Sequence, residues 1–348
     1  MTAAQALRAA AAQGIIVKDG PYGTAIQNLG LAAADYAGNI ASNHDQKGNN
    51  DILNLTRPDA IAGICNRYIA SGARLLATNT FNANRISQAD YGMEDRVREI
   101  NLAAARIMRQ CVDAAIAADG IQRWVAGSLG PTNKTLSLSP RVSDPGHREV
   151  TFDGVKDVYR EQIDALLDGG VDFILIETVF DTLNAKAAAF AAAEAGDARG
   201  SVVPVMLSMT LTDLSGRNLS GQTVEAFWHS IRHVKPVAVG LNCSFGATEL
   251  RPHVQALAKQ ADTLIMTYPN AGLPNDLGEY DEQPETTAGF IRGWADGGLV
   301  NIVGGCCGNT PEHIAAMARQ VAGLPPRIIP HPETALYLTG LEAHRFAA

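Results

Sequence analysis

One phrase repeats along this chain, and it fixes the class of fold more firmly than any other feature. A short apolar run, rich in β-branched residues, ends in polar or glycine residues and is followed by an alanine-rich helical stretch. The runs are IIVKDG (15–20), RLLATNT (74–80), RWVAGSLGP (123–131), DFILIET (172–178), VVPVMLSMT (202–210), VAVGLNC (237–243), TLIMTYPN (263–270) and LVNIVGGCC (299–307). Helical stretches such as 96–118 and 154–170 lie between them, and Thr310-Pro311 supplies an N-cap and first-turn pair after the last run. Alternation of strand and helix calls for a parallel sheet. Eight units in 348 residues predict a single-domain α/β protein, a closed (β/α)8 TIM barrel, over residues 1–325. A doubly wound open sheet is the alternative. The remaining 326–348 opens rich in proline and reads as an extended tail. The polar, Asn-rich stretch 34–51 falls outside the phrase, and a loop this long in a compact domain is more often functional than idle.

Composition narrows the class of partner. Net charge is −8, and no run of Lys or Arg suggests nucleic acid. No stretch approaches the length of a membrane span, and Arg8 and Gln13 interrupt any signal-peptide core in the N-terminal segment. Five cysteines, an odd number, favour reduced thiols and a cytoplasmic protein over a disulfide framework.

In a barrel of this kind, chemistry belongs at the C-terminal ends of the strands. Those ends carry Asp19, Asn79, Thr80, Ser128, Glu177, Thr178, Thr210, Asn242, Cys243, Asn270, Cys306 and Cys307. Strands six and eight are near neighbours around a closed ring, so Cys243 and the doublet Cys306-Cys307 could meet at one ion. Zn²⁺ accepts three thiolates and keeps a fourth position for water or substrate, and soft ligands argue against magnesium or calcium. Three buried structural cysteines are the competing reading. Gly304, Gly305 and Gly308 would let the backbone turn tightly enough for both neighbours to face the ion. Cys65 and Cys111 fall mid-helix and read as core. Asp19 and Glu177, two carboxylates at the barrel mouth, suit an acid/base pair or a grip on a substrate ammonium; a loop cap or ion pair is the plainer account. The eight histidines end no strand, and GSLGPTNKTLS (127–137) matches no phosphate-binding loop.

The stretches DGPYGTAIQ, KGNNDILNLTRPDAI, TNTFNANRISQADYG, GSLGPTNKTLSLSP, FILIETVFDTLNAKAA, GLNCSFGATELRP, TYPNAGLPN and VGGCCGNTPEHI span residues 19 to about 330. On these the chain resembles the zinc-dependent homocysteine S-methyltransferases, most of all the N-terminal homocysteine-binding module of cobalamin-dependent methionine synthase. GNNDILNLT and SQADYG point to that branch over the betaine-dependent one. The resemblance implies that Cys243, Cys306 and Cys307 bind zinc and that Asp19 and Glu177 hold the homocysteine amino group. It also implies that the loop with Gly23 and Thr24 meets the carboxylate, and that Asn270 can occupy the fourth zinc position before substrate arrives. The implied reaction is attack of a zinc-bound homocysteine thiolate on a donor methyl group, giving methionine. Where the family usually has Gly-Ala-Met-Gly-Thr, this chain has Gly20-Pro21-Tyr22-Gly23-Thr24, and Pro21 has no N–H to offer. Ser244 and Phe245 stand where smaller apolar residues are usual. The chain ends about where a linker to a folate module would begin, and it carries no Asp-x-His-x-x-Gly cobalamin signature. The implied system is a split synthase, with methylcobalamin supplied by cobalamin-binding and folate-binding chains in trans. A self-sufficient betaine- or S-methylmethionine-dependent enzyme is the alternative, and a non-catalytic barrel with structural zinc is a third reading.

Overall fold

The structure, a computed structural model, describes residues 1–331 and 335–346. Each apolar run contains a strand: β1 Ile16–Val17, β2 Leu75–Ala77, β3 Trp124–Leu129, β4 Phe173–Val179, β5 Val205–Met209, β6 Ala238–Asn242, β7 Leu264–Tyr268 and β8 Ile302–Val303. Consecutive strands from β2 to β8 pair in parallel, and β8 pairs in parallel with β1. A bridge from Lys18 to Leu75 closes the ring, with the Arg74 N–H donating to Val17 O at 2.7 Å and the Asp19 N–H to Leu75 O at 3.0 Å. This is the (β/α)8 barrel, and the open sheet is excluded.

Strand side chains alternate between two apolar environments. One set fills the barrel: Ile16, Leu75, Trp124, Phe173, Met206, Leu264, Met266 and Ile302, with Leu7 and Ala11 of the helix Ala3–Gln13 joining them from the N-terminal end. The other set packs outward against the surrounding helices. Burial on both faces is why the strands read as near-continuous apolar runs. Helices Val97–Asp119 and Phe152–Asp168 fall within two residues of their expected bounds, and Thr310 caps Pro311–Val321. Among the described residues no helix is long and apolar enough to cross a membrane.

Two segments differ from the sequence reading. The tail is not simply extended: Tyr337–Thr339 (β9) and Ala343–Arg345 (β10) form an antiparallel hairpin. Tyr337 stacks on His229 with ring centroids 3.9 Å apart, and Thr339 Oγ1 lies 2.8 Å from Ser230 Oγ. The proline-rich stretch ends before the Thr339-Gly340 corner, so nothing forbids pairing there. Residues 332–334 and 347–348 of that tail lie outside the described residues. The long loop 34–51 carries a short helix, Ala33–Ala37, and ends in a 3₁₀ turn, Asn50–Ile52.

Candidate active site

Follow the inward-facing positions up the barrel and the chemistry changes in one step. Above Ile16, Ala77, Ala126, Leu175 and Met266 come Lys18, Asn79, Ser128, Glu177 and Tyr268, two residues further along their strands. With Asn242 from β6 they wall a cavity of about 240 Å³ at the C-terminal end. Its other walls include Gly20, Pro21, Tyr22, Gly23 and Thr24 after β1, Asn50 and Asp51 from the long loop, and Cys243, Cys306 and Cys307. A larger hollow of about 630 Å³ lies at the opposite end, between Arg8, Asp262 and Tyr337. It holds none of the cysteines or strand-end carboxylates, so the smaller cavity is where chemistry can occur.

The three cysteines meet as their strand positions require. Their sulfurs all lie within 4.8 Å of one another, with Cys243 Sγ and Cys307 Sγ 3.8 Å apart. Sulfurs bonded at ~2.3 Å to a tetrahedral Zn²⁺ stand about 3.8 Å from each other, so the spacing fits that ion. No disulfide competes for them. Hydrogen bonds with the Cys243 and Cys306 thiols hold the Cys307 thiol down at about 3, with Tyr280 adding a third. Pairing with Cys243 and Cys307, together with burial, pushes Cys306 well up. Cys307 therefore already carries thiolate character, while Cys243 and Cys306 are held up and would give up their protons as a metal binds.

The backbone is bent to achieve this. Cys243 and Ser244 take φ of 64° and 62°, a left-handed conformation that costs a non-glycine residue roughly 1 kcal/mol or more. The Asn242 amide ties the neighbouring strand ends together. Its Oδ1 accepts from Ser208 Oγ at 2.6 Å and the Thr178 N–H at 3.1 Å, while Nδ2 donates to Thr178 Oγ1 and faces Cys306 Sγ at 3.9 Å. Of the three glycines around the doublet, only Gly308 has positive φ, 79°. Gly304 and Gly305 serve close approach instead of a turn: a Cβ on Gly304 would sit 2.9 Å from Lys18 Cβ, and one on Gly305 2.5 Å from Asn309.

The two carboxylates are placed differently from each other. Glu177 lines the cavity, with Oε1 accepting from Ser128 Oγ and Oε2 from the Tyr268 hydroxyl at 2.8 Å. Asp19 is fully buried and is not among the cavity-lining residues. Its Oδ2 accepts from the Ala77 N–H at 2.8 Å and its Oδ1 from Lys18 Nζ at 2.8 Å. Burial raises the Asp19 pKa, with Lys18 pulling against it; burial would lower that of Lys18, but the charges of Asp19 and Glu177 outweigh it and raise it. Gly23 and Thr24 reach the cavity, and Thr24 Oγ1 accepts from the Gly308 N–H at 3.1 Å. Asn270 is buried behind the cysteines, outside the cavity lining, with Nδ2 3.4 Å from the Tyr280 hydroxyl and Oδ1 unpartnered.

Three residues at the site escape sequence reasoning. Lys18 precedes the conspicuous Asp19, although its even spacing from Ile16 already places it inside the barrel. Asp51 lies in a loop whose path could not be foreseen; burial raises its pKa to about 7. Tyr280 comes from the loop after β7, packs over Gly308 and bonds Cys307, with no local signal in the sequence. Phe245 packs against the core and does not line the cavity, while among the described residues no histidine lines it either.

Comparison with known proteins agrees with this fold. The oxidised and metallated forms of the homocysteine methyltransferase MmuM from Escherichia coli match with TM-scores of 0.69, at 21% and 22% identity. Each match covers 88% of this chain and 96% of the other, and at this identity it is a likeness of fold. The sequence profile described as homocysteine S-methyltransferase matches residues 16–321, a span that runs from β1 to the helix after β8 and takes in all three cysteines and both carboxylates. By that match the chain belongs to the homocysteine S-methyltransferase family and is a methyltransferase.

Proposed function

We propose that the chain is the homocysteine module of a split cobalamin-dependent methionine synthase, with Cys243, Cys306 and Cys307 as the ligands of one Zn²⁺. When bound, that ion supplies a Lewis-acid position that favours the thiolate form of a substrate thiol, which otherwise titrates near pH ~8.5. The chain's own groups do the rest. The three cysteine thiolates keep the site electron-rich, so a sulfur delivered there stays nucleophilic. Glu177, fixed by Ser128 and Tyr268, accepts the substrate ammonium. Gly23 and Thr24 wall the cavity on the side of the doublet, Asp19 acts from behind Lys18, and Asn270 acts through Tyr280. The sulfur's electron pair forms the new S–CH₃ bond as the donor's bond to that methyl breaks and its pair leaves with the donor. No side chain has to move a proton in that step.

The observation that carries the cobalamin reading is where the synthase-like stretches lie. Asn50 and Asp51 of GNNDILNLT, and Asn79, Phe81 and Asn82 just before SQADYG, wall the cavity itself. Exposed apolar side chains on the mouth loops, Phe81, Val142, Leu214 and Leu277, offer a rim for a bulky donor presented by another chain. Purified, zinc-loaded protein should make methionine slowly from free methylcobalamin, faster with a cobalamin-binding chain added, and not at all from 5-methyltetrahydrofolate alone. Rapid turnover with betaine or S-methylmethionine, and none with methylcobalamin, would replace this reading with the self-sufficient one.

A further inference from the structure

We infer that Lys18 is the group that receives the substrate's carboxylate, an assignment that rests on homocysteine as substrate. Position decides which end of β1 faces the site. Ile16 points into the barrel, so Lys18 does too, and it is Lys18, not Asp19, that lines the cavity. Its side chain is only 4% exposed. An ammonium has three N–H donors. Among the described residues its one hydrogen-bond acceptor is Asp19 Oδ1, and the Tyr268 ring covers another side with its centroid 4.6 Å from Nζ. A buried cation with donors left over is incomplete, and the open space beside it is the cavity.

The surroundings match an amino acid's charges. Glu177 lines the same cavity and interacts electrostatically with Lys18. Homocysteine carries its ammonium and carboxylate on one carbon, so an anion and a cation side by side suit both ends. Asp19, pinned by the Ala77 N–H, accepts from Lys18 and does not line the cavity. Pro21 removes one backbone donor from the loop that follows, so the cation stands where the loop gives least.

The test is calorimetric titration of zinc-loaded wild type, Lys18→Met and Lys18→Gln with three thiols. These are L-homocysteine, 3-aminopropane-1-thiol (no carboxylate) and 4-sulfanylbutanoate (no ammonium). Wild type should prefer homocysteine over the aminothiol by roughly ten- to hundredfold, the usual worth of a charge-assisted contact. Both variants should lose that factor for homocysteine and for 4-sulfanylbutanoate, and hold the aminothiol within about threefold. Equal loss for all three thiols would mean a structural role, and no loss would mean no contact; either overturns the assignment while leaving homocysteine binding intact. Failure of every thiol to bind wild type would overturn the homocysteine reading and this assignment together. Lys18→Gln keeps an N–H for Asp19 should Lys18→Met not fold. Should neither fold, the wild-type ratio decides: near one it overturns the assignment, and at tenfold or more it supports it.

Discussion

Cys243 sits in a left-handed conformation, beside a second residue that does the same, and its sulfur ends 3.8 Å from that of Cys307. Strain of this kind persists where the surroundings impose it, here through the Asn242 amide and the pairing of β6 with β7. Replacing Cys243, Cys306 or Cys307 with Ala leaves two ligands, too few for a tight site. Metal analysis should find close to one zinc in the wild type and in Cys65→Ala, and essentially none in the three ligand variants. Full zinc in Cys306→Ala would remove it from the site. Asp51 gives a second test, in stability. Burial raises its pKa from 3.8 to about 7, so across that interval the folded protein keeps a proton that the unfolded chain has released. Stability should therefore fall as pH rises from about 4 to 7, by an amount that the 3.8-to-7 interval limits to roughly 4 kcal/mol. Asp51→Asn should flatten that dependence and be the more stable protein above pH 7. Urea titrations at pH 5 and pH 8 measure both, and an unchanged slope would mean that Asp51 is charged at neutral pH.

At the scale of elements, the barrel depends on how closely its strands approach. A Cβ added to Gly240 in β6 would lie 1.4 Å from Met266 O in β7, and no side-chain adjustment relieves a clash with backbone. Gly63, on the exposed side of the helix Pro58–Ala70, has nothing within 4 Å. Gly240→Ala should destabilise by several kcal/mol or prevent folding, whereas Gly63→Ala should stabilise by about 0.5–1 kcal/mol. Urea midpoints of the two variants check the contrast, and a well-folded Gly240→Ala would refute the close approach. The strands were legible because both of their faces are buried, which writes each as an apolar run. The hairpin of β9 and β10 was not, because a short, exposed, amphipathic pair next to prolines has no such signature. Nor was the role of Gly304, whose constraint comes from β1, nearly three hundred residues away in sequence.

The whole molecule is polarised along the barrel axis. The helix Ala3–Gln13 and an apolar interior close one end, and the charged layer, the cysteines and the exposed apolar rim lie at the other. Most of that polarity can be read from strand ends alone: Cys243, Cys306, Cys307 and Glu177 fall there by counting. Reading failed where a side chain's direction matters more than its type. Asp19 is the residue that draws attention, yet alternation gives the cavity to Lys18. Tyr280 arrives through tertiary folding of the loop after β7, which no local pattern encodes. The proposed centre is three cysteine sulfurs on one zinc ion, with one position open to the substrate's sulfur. X-ray absorption at the zinc edge, recorded on the zinc-loaded protein before and after adding L-homocysteine, measures that directly. Three sulfur neighbours at ~2.3 Å are expected without substrate and four with it. A coordination shell that is unchanged by homocysteine, or one with fewer than three sulfurs at the start, would contradict it.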